Sequence, residues 1–270
     1  MSAPRVIATD LDGTLLGTGG AFSERSRHAL RAARGRGVKV VAVTARPPRV
    51  FDEWTALAAS LDAAICSNGA IVYAPATRTI ESTRTLDAET AAAVAKTLRA
   101  TLPSVKLAVE TGFEVVAEPG YAKVCSVGDK RVFVETPDAI FTADQIVKLL
   151  VHDPASSADE LLTAARAAGL TGVHLSHSGG RGLLEISPAG VSKAAALASW
   201  CAARGVDATE AIAFGDMPND APMLQWAGRS FAVAGAHPEA AAAASDRCGS
   251  NVDDGVARAI EGILTLAGAA

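Results

Sequence analysis

Short apolar runs alternate with segments whose apolar positions recur every three or four residues, and this rhythm changes twice, near Thr83 and near Val191. The first run, Val6 to Thr9, predicts a strand buried on both faces. Ser23 then stands as an N-cap, with Phe22 as a hydrophobic staple, for a helix through about Arg34, and Gly35 and Gly37 end it. Val38 to Val43 is a second apolar strand that leads into Thr44-Ala45-Arg46-Pro47-Pro48. Strand, helix and strand in this order predict a right-handed β-α-β unit, so both strands lie in one parallel sheet. A helix around Arg49 to Ser60 and a short strand at Ala63 to Cys66, ending in Ser67-Asn68-Gly69-Ala70, extend it.

Beyond Thr83 a helix from about Ala88 to Ala100 precedes segments of period two at Lys106–Val109, Glu114–Ala117 and Arg131–Glu135. Ile146–Val151, a helix at Ala158–Ala168, and strands at Val173–Ser176 and Leu183–Ile186 follow. This pattern predicts an antiparallel sheet with helices on one face. From Val191 the first rhythm returns, with an Ala-rich helix at Ser192–Arg204, a buried strand at Ala211–Phe214, and the loop Gly215-Asp216-Met217-Pro218-Asn219-Asp220. A short helix at Pro222–Ala227, a strand at Ser230–Val233, and helices at Pro238–Ala244 and Gly255–Leu266 complete the chain. The expected organisation is a discontinuous α/β core, residues 1–82 plus 188–270, interrupted by an α+β insertion at 83–187.

At 270 residues the chain can bury a sizeable core, and 49% hydrophobic with 20% charged residues is ordinary for a globular protein. A net charge of -4 gives no basic footprint of the kind that nucleic acid or an anionic membrane requires, so neither is expected as a partner. Cys66, Cys125, Cys201 and Cys248 are far apart and show no C-x-x-C spacing, which reads as reduced thiols in a cytoplasmic protein. No apolar run approaches the ~20 residues that span a bilayer. A monomer or weak homo-oligomer is the expected state.

Chemistry gathers at the carboxyl ends of the predicted parallel strands. Asp10 and Asp12 are two apart, so a strand would aim both into one site, and Gly13 lets the backbone turn away sharply. Taken alone, D-x-D-G is also compatible with a turn whose carboxylates are merely solvated. Thr44, the Lys193 region and Asp216/Asn219/Asp220 end at the same edge, where open α/β sheets bind ligands. Oxygen ligands without a histidine or cysteine cluster suit Mg²⁺, and Lys193 at a helix start suits a phosphate. These are the parts of a phosphoryl-transfer site.

The order of motifs resembles the haloacid dehalogenase (HAD) superfamily, and within it the Cof-type branch, subfamily IIB. The matches are D-x-D-G-T-L at Asp10–Leu15, Thr44, S-N-G-A at Ser67–Ala70, E-I-x-P-x-G-V-S-K at Glu185–Lys193 and G-D-x-x-N-D at Gly215–Asp220. The resemblance implies a Rossmann-like, doubly wound parallel-sheet core with an inserted C2-type cap, and a phosphatase acting on a small phosphorylated metabolite such as a sugar phosphate. It further implies Asp10 as nucleophile and Asp12 as acid and base. Mg²⁺ would be held by Asp10, the Asp12 carbonyl and Asp216, with Asp220 acting through water or on Lys193. Leu11, Thr44, Ala45, Lys193 and Asn219 would hold the phosphoryl group, and Arg46, Asn68 and Glu185 could reach substrate.

Ala45 and Ala194 replace glycines usual in the family, and Ala45 can offer its N–H only if its φ is negative. For Arg46 a salt bridge at the entry of a helix is the structural alternative, and for Glu185 it is bracing of the hinge. His174 and His177, three apart in an extended segment, read as surface or hairpin residues and not as a metal pair. Gly179-Gly180-Arg181-Gly182 is either a simple turn or a tip that overhangs the site. A phosphomutase on the same scaffold and a catalytically silent binding or regulatory protein are the competing functions.

Overall fold

The computed structural model describes residues 4–123, 127–179 and 181–267. In chain order the elements are β1 (Val6–Thr9), α1 (Glu24–Gly35), β2 (Lys39–Val43), α2 (Thr55–Ala58), β3 (Ala63–Cys66), β4 (Ile71–Ala74) and β5 (Thr79–Thr83). Next come α3 (Ala88–Thr101), β6 (Lys106–Glu110), β7 (Val115–Ala117), β8 (Arg131–Phe133), β9 (Lys148–Ser157), α4 (Ala158–Ala167), β10 (Val173–Ser176) and β11 (Arg181–Pro188). The chain closes with α5 (Lys193–Ala202), β12 (Ala211–Gly215), α6 (Ala221–Trp226), β13 (Arg229–Ala232), α7 (Pro238–Ala243), β14 (Asp246–Arg247) and α8 (Gly255–Ala267).

The first sheet has the order β14-β13-β12-β1-β2-β3-β4-β5. It is parallel from β14 to β3, and β4 and β5 add an antiparallel edge. Its central strands β12, β1, β2 and β3 are almost wholly apolar because both faces are covered. Ile7, Val40, Ala42 and Phe214 pack with Leu30 of α1 and Ile260 of α8, whereas Val6, Val41, Val43 and Ala213 pack with Leu197 and Trp200 of α5 and Leu224 of α6. Ser23 caps α1 by accepting from the Ser26 amide, a contribution of ~1 kcal/mol.

The second sheet runs β10-β11-β9-β6-β7-β8 and is antiparallel except for the β7–β8 pair. Its pleat separates two faces. Leu107, Val109, Leu149, Val151, Leu184 and Ile186 face α3 and α4, meeting Val94, Leu98, Leu161 and Leu162. The alternate residues Glu110, Lys148, Leu150, Leu183 and Glu185 turn toward the carboxyl edge of the first sheet and roof a cavity there.

Several elements differ from the sequence reading. The segment read as one helix from Arg49 to Ser60 is a 3-10 turn at Pro48–Asp52 followed by the single turn of α2. Burial decides this, since Arg49, Val50 and Phe51 are all turned inward, which no single helical face allows. The edge strands β4 and β5 and the two-residue β14 were not anticipated; β5 is exposed along most of its length and carries little hydrophobic pattern. Strand β9 continues beyond Val151 to Ser157.

Candidate active site

Four chain segments converge on a cavity of about 390 Å³ between the two sheets. Asp10 and Asp12 follow β1, Thr44 to Arg46 follow β2, Lys193 opens α5, and Asp216 to Asp220 follow β12. The parallel register, with Thr9 level with Ala42 and Phe214, brings the ends of β1, β2 and β12 to one height. Gly13 has φ +83, and a Cβ there would lie 2.5 Å from Asp216 Oδ2. Glycine is thus required twice, for the turn and for the closeness of Asp216.

Lys193 is the buried centre of the charge arrangement. Its Nζ donates to Asp10 Oδ1 at 2.5 Å and to Asp220 Oδ1 at 2.6 Å. The other Asp220 oxygen accepts from the amides of Asp216 at 3.1 Å and Met217 at 3.0 Å. Both Asp220 oxygens are therefore engaged within the protein, and Asp220 stands behind Lys193. Asp216 accepts from the Thr14 hydroxyl at 2.6 Å, and its carbonyl accepts from the His237 amide at 2.8 Å. Thr14 is an orienting residue absent from the sequence-level site, although it is written in the D-x-D-G-T motif.

Burial and the neighbouring carboxylates shape the titration of this cluster. Asp10 is raised well above the usual carboxylate range by burial, with Lys193 opposing and Asp220, Asp216 and Asp12 adding to the rise. Asp216 is pushed up to about 6 by burial and by Asp220. Burial by itself would depress Lys193, but Asp10 and Asp220 more than offset it and hold the ammonium charged.

Carboxylate oxygens of Asp10, Asp216 and Asp220 lie within 4.8 Å of one another. A buried donor set made only of hard oxygens fits a small divalent cation. Since Asp220 is committed to Lys193 and two amides, Asp10 and Asp216 are the side chains with capacity left for an ion.

Asp12 is not part of that cluster. Its carboxylate is held by Arg46, with Nη2–Oδ1 at 2.8 Å and Nε–Oδ2 at 2.9 Å, and Arg46 also lies over the Trp54 ring at 5.4 Å. Thr44 is buried and accepts from the Arg46 amide at 3.1 Å. Ala45 is not among the described non-glycine residues with positive φ, and Ala194 lies within α5, so neither replacement strains the backbone. Leu11 buries its side chain in the core, which leaves only its main chain to face the site.

Ser67 and Asn68 both have positive φ, and their amides donate to the carbonyls of Arg46 and Thr44, tying the third strand end to the second. Asn68 does not line the cavity; its Oδ1 accepts from Asn219 Nδ2 at 3.0 Å and so orients Asn219, which does. Glu185 lines the cavity and is buried against Lys148, with Nζ–Oε1 at 2.5 Å. Burial raises the Glu185 carboxyl, but Lys148 more than compensates and keeps it below its usual range.

Lys148 was missed in the sequence, where a single lysine opening the otherwise apolar Lys148–Val151 run was the available signal. Its Nζ also donates to the Ala45 carbonyl at 2.8 Å, joining the second sheet to the loop after β2. A second connection is the buried pair of Arg49 with Glu110, at 2.6 and 2.8 Å.

His177 is not a surface residue. It is buried, with Nε2 3.0 Å from Asp159 Oδ1, and His237 Nε2 lies 3.5 Å from the same oxygen. Each of these rings accepts a backbone N–H at Nδ1, from Gly179 and Glu239, which leaves the Nε2 side to face Asp159. His174 stays apart, half-buried, with burial and Arg166 holding its pKa below the ordinary histidine value. At the hairpin after β10, Ser178 and Gly179 line the cavity, and a Cβ on Gly179 would meet Met217 Sδ at 2.9 Å, so this part overhangs the site. Gly180 lies outside the described residues, as does Cys125; Cys66, Cys201 and Cys248 are free thiols.

Comparison with known proteins agrees with this architecture. The family model for haloacid dehalogenase-like hydrolases matches residues 7–260. Pyridoxal phosphate phosphatase YbhA of Escherichia coli (strain K12) is 26% identical over 274 residues, covering 95% of this chain and 97% of its own. The structure of SMU.1108c from Streptococcus mutans UA159 superposes with a TM-score of 0.85 at 21% identity, covering 97% of this chain and all of that one. The HAD subclass IIB sugar phosphatase BT4131 superposes with a TM-score of 0.78 at 18% identity, covering 96% and 99%. At these identities the two structures speak for the fold. The chain belongs to the haloacid dehalogenase-like hydrolases.

Proposed function

We propose that this hydrolase is a Mg²⁺-dependent phosphatase that removes phosphate from a small phosphorylated metabolite of the sugar-phosphate class through an aspartyl-phosphate. The observation that carries the reading is the buried Lys193 ammonium between Asp10 and Asp220, with Asp216 alongside, at the sheet edge that faces the cavity. A phosphatase name on a relative that matches over most of both chains supports it.

In this reading Lys193 holds Asp10 Oδ1, and Oδ2 attacks phosphorus as the bond to the leaving oxygen breaks. Asp12 gives its proton to the departing alkoxide. Water then attacks the aspartyl-phosphate, Asp12 takes the proton, and inorganic phosphate leaves as Asp10 is restored. Thr44, the Leu11 and Ala45 amides, Lys193 and Asn219 bind the phosphoryl oxygens. Asp10, the Asp12 carbonyl and Asp216 would hold Mg²⁺, which would supply positive charge to offset the carboxylates and the phosphoryl group. Asp220 keeps Lys193 charged and placed.

Residues 83–187 are proposed as the cap, with 1–82 and 188–270 as the catalytic core. The cap contributes the roof of the cavity, excludes water and shapes the space for the leaving group. The test is phosphate release from a panel of sugar phosphates and related esters, with MgCl₂ and with excess chelator. Release that depends on the cation is the expected result; full activity in chelator, or no release from any ester, would overturn the reading.

A further inference from the structure

Lys148 and Glu185 are nearly inaccessible to solvent, 3% and 2% exposed, yet both line the cavity. An ammonium has three N–H donors. Two are used, on Glu185 Oε1 and on the Ala45 carbonyl, which places Nζ beside the loop that carries Thr44. The buried Glu185 carboxylate has the Ser178 hydroxyl and the Asn68 amide near enough to favour its charged form. One spare cationic donor thus sits beside the Glu185 carboxylate at the cavity wall.

A carboxylate oxygen has lone pairs for more than one hydrogen, so a group beside this pair can both accept from Lys148 and donate to Glu185. A group that accepts one hydrogen bond and donates another is a hydroxyl. A carboxylate or second phosphate would accept from Lys148 but would face the Glu185 charge with no hydrogen to offer. Because Nζ is fixed on the residue after Thr44, the group it meets is close to the scissile ester.

We infer that Lys148 is a specificity-determining residue, which with Glu185 reads a hydroxyl beside the phosphate ester and turns away leaving groups that carry a hydrogen or an anion there. The inference rests on the phosphatase reading above and adds to it the demand placed on the leaving group.

The experiment compares kcat/KM for glycerol 1-phosphate, propyl phosphate and phosphoglycolate, with p-nitrophenyl phosphate as an activated ester, in wild type and in two variants. These are Lys148→Met and the double variant Lys148→Met/Glu185→Gln, the latter because Glu185 left charged and unpaired could unfold the single one. Wild type should prefer glycerol 1-phosphate over propyl phosphate and over phosphoglycolate by ~10-fold or more, the effect of stranding buried polar groups. In the folded variants the preference over propyl phosphate should collapse toward unity. A merely structural role would lower all rates together and leave that ratio intact. Equal wild-type rates, or a ratio unchanged in a folded variant, would overturn the inference, and the wild-type ratios decide if neither variant folds. Absence of release even from p-nitrophenyl phosphate would overturn the phosphatase reading itself, and this inference with it.

Discussion

Arg46 grips the Asp12 carboxylate with two parallel hydrogen bonds, at 2.8 and 2.9 Å, so the two aspartates two residues apart have unlike partners: Asp10 meets the buried Lys193 ammonium, and Asp12 an arginine at the mouth of the cavity. Unlike partners make the two carboxylates separable by substitution. Asp10→Asn should abolish phosphoenzyme formation. Asp12→Asn with p-nitrophenyl phosphate, whose leaving group needs no proton, should instead accumulate phosphate on Asp10 that turns over slowly. Rapid quench with intact-protein mass measurement reads both outcomes, and label on a serine, threonine or histidine would refute the assignment.

Cation binding should depend on pH in a direction set by the cluster. Asp10 and Asp216 bind protons more tightly in the folded chain than in the unfolded one, with Asp216 held up to about 6. In metal-free protein their contribution to stability is therefore present at acid pH and is lost as pH rises through about 6. Mg²⁺ competes with those protons, so the rise in Tm on adding MgCl₂ should be larger near pH 7.5 than near pH 5. Thermal scans at the two pH values check this, and an equal or reversed gain would contradict it.

The Arg49–Glu110 pair has side chains only 7% and 4% exposed and joins the loop after β2 to the second sheet. Removing one partner leaves the other buried and charged, so Arg49→Met should destabilise by about 3–5 kcal/mol in urea unfolding. Arg49→Met/Glu110→Gln should recover part of that loss. A single variant as stable as wild type would show that the pair opens to water in solution.

Replacing residues 83–187 with a short linker should give a folded core with an exposed site that hydrolyses p-nitrophenyl phosphate but no longer discriminates among esters. Circular dichroism and the substrate panel test it. A core that cannot fold, or that discriminates as before, would contradict the division into core and cap.

The residues legible in the sequence are those whose position follows from local rules. Asp10, Thr44 and Asp216 each stand at or just beyond the end of an apolar strand, and parallel pairing brings such ends together whatever covers them. Gly13 was legible for a similar reason, since a turn at positive φ calls for glycine. Helix α1 could be read from its cap and period, and the break at residues 49 to 55 could not, because Arg49 leaves a helical path to meet Glu110 about sixty residues away.

The sequence by itself thus determined which residues meet at the candidate catalytic edge: two carboxylates, a lysine and an acidic loop at strand and helix ends, positions that depend on backbone period and short turns. Only the tertiary structure decided the partners. Arg46 on Asp12, Asp220 behind Lys193, Asp159 between His177 and His237, and Lys148 with Glu185 against the Ala45 carbonyl are contacts between segments remote in the chain. Periodicity says which face a side chain takes, but a charge is buried only where folding delivers an opposite charge or a donor to meet it, and that meeting is a property of the whole packed chain.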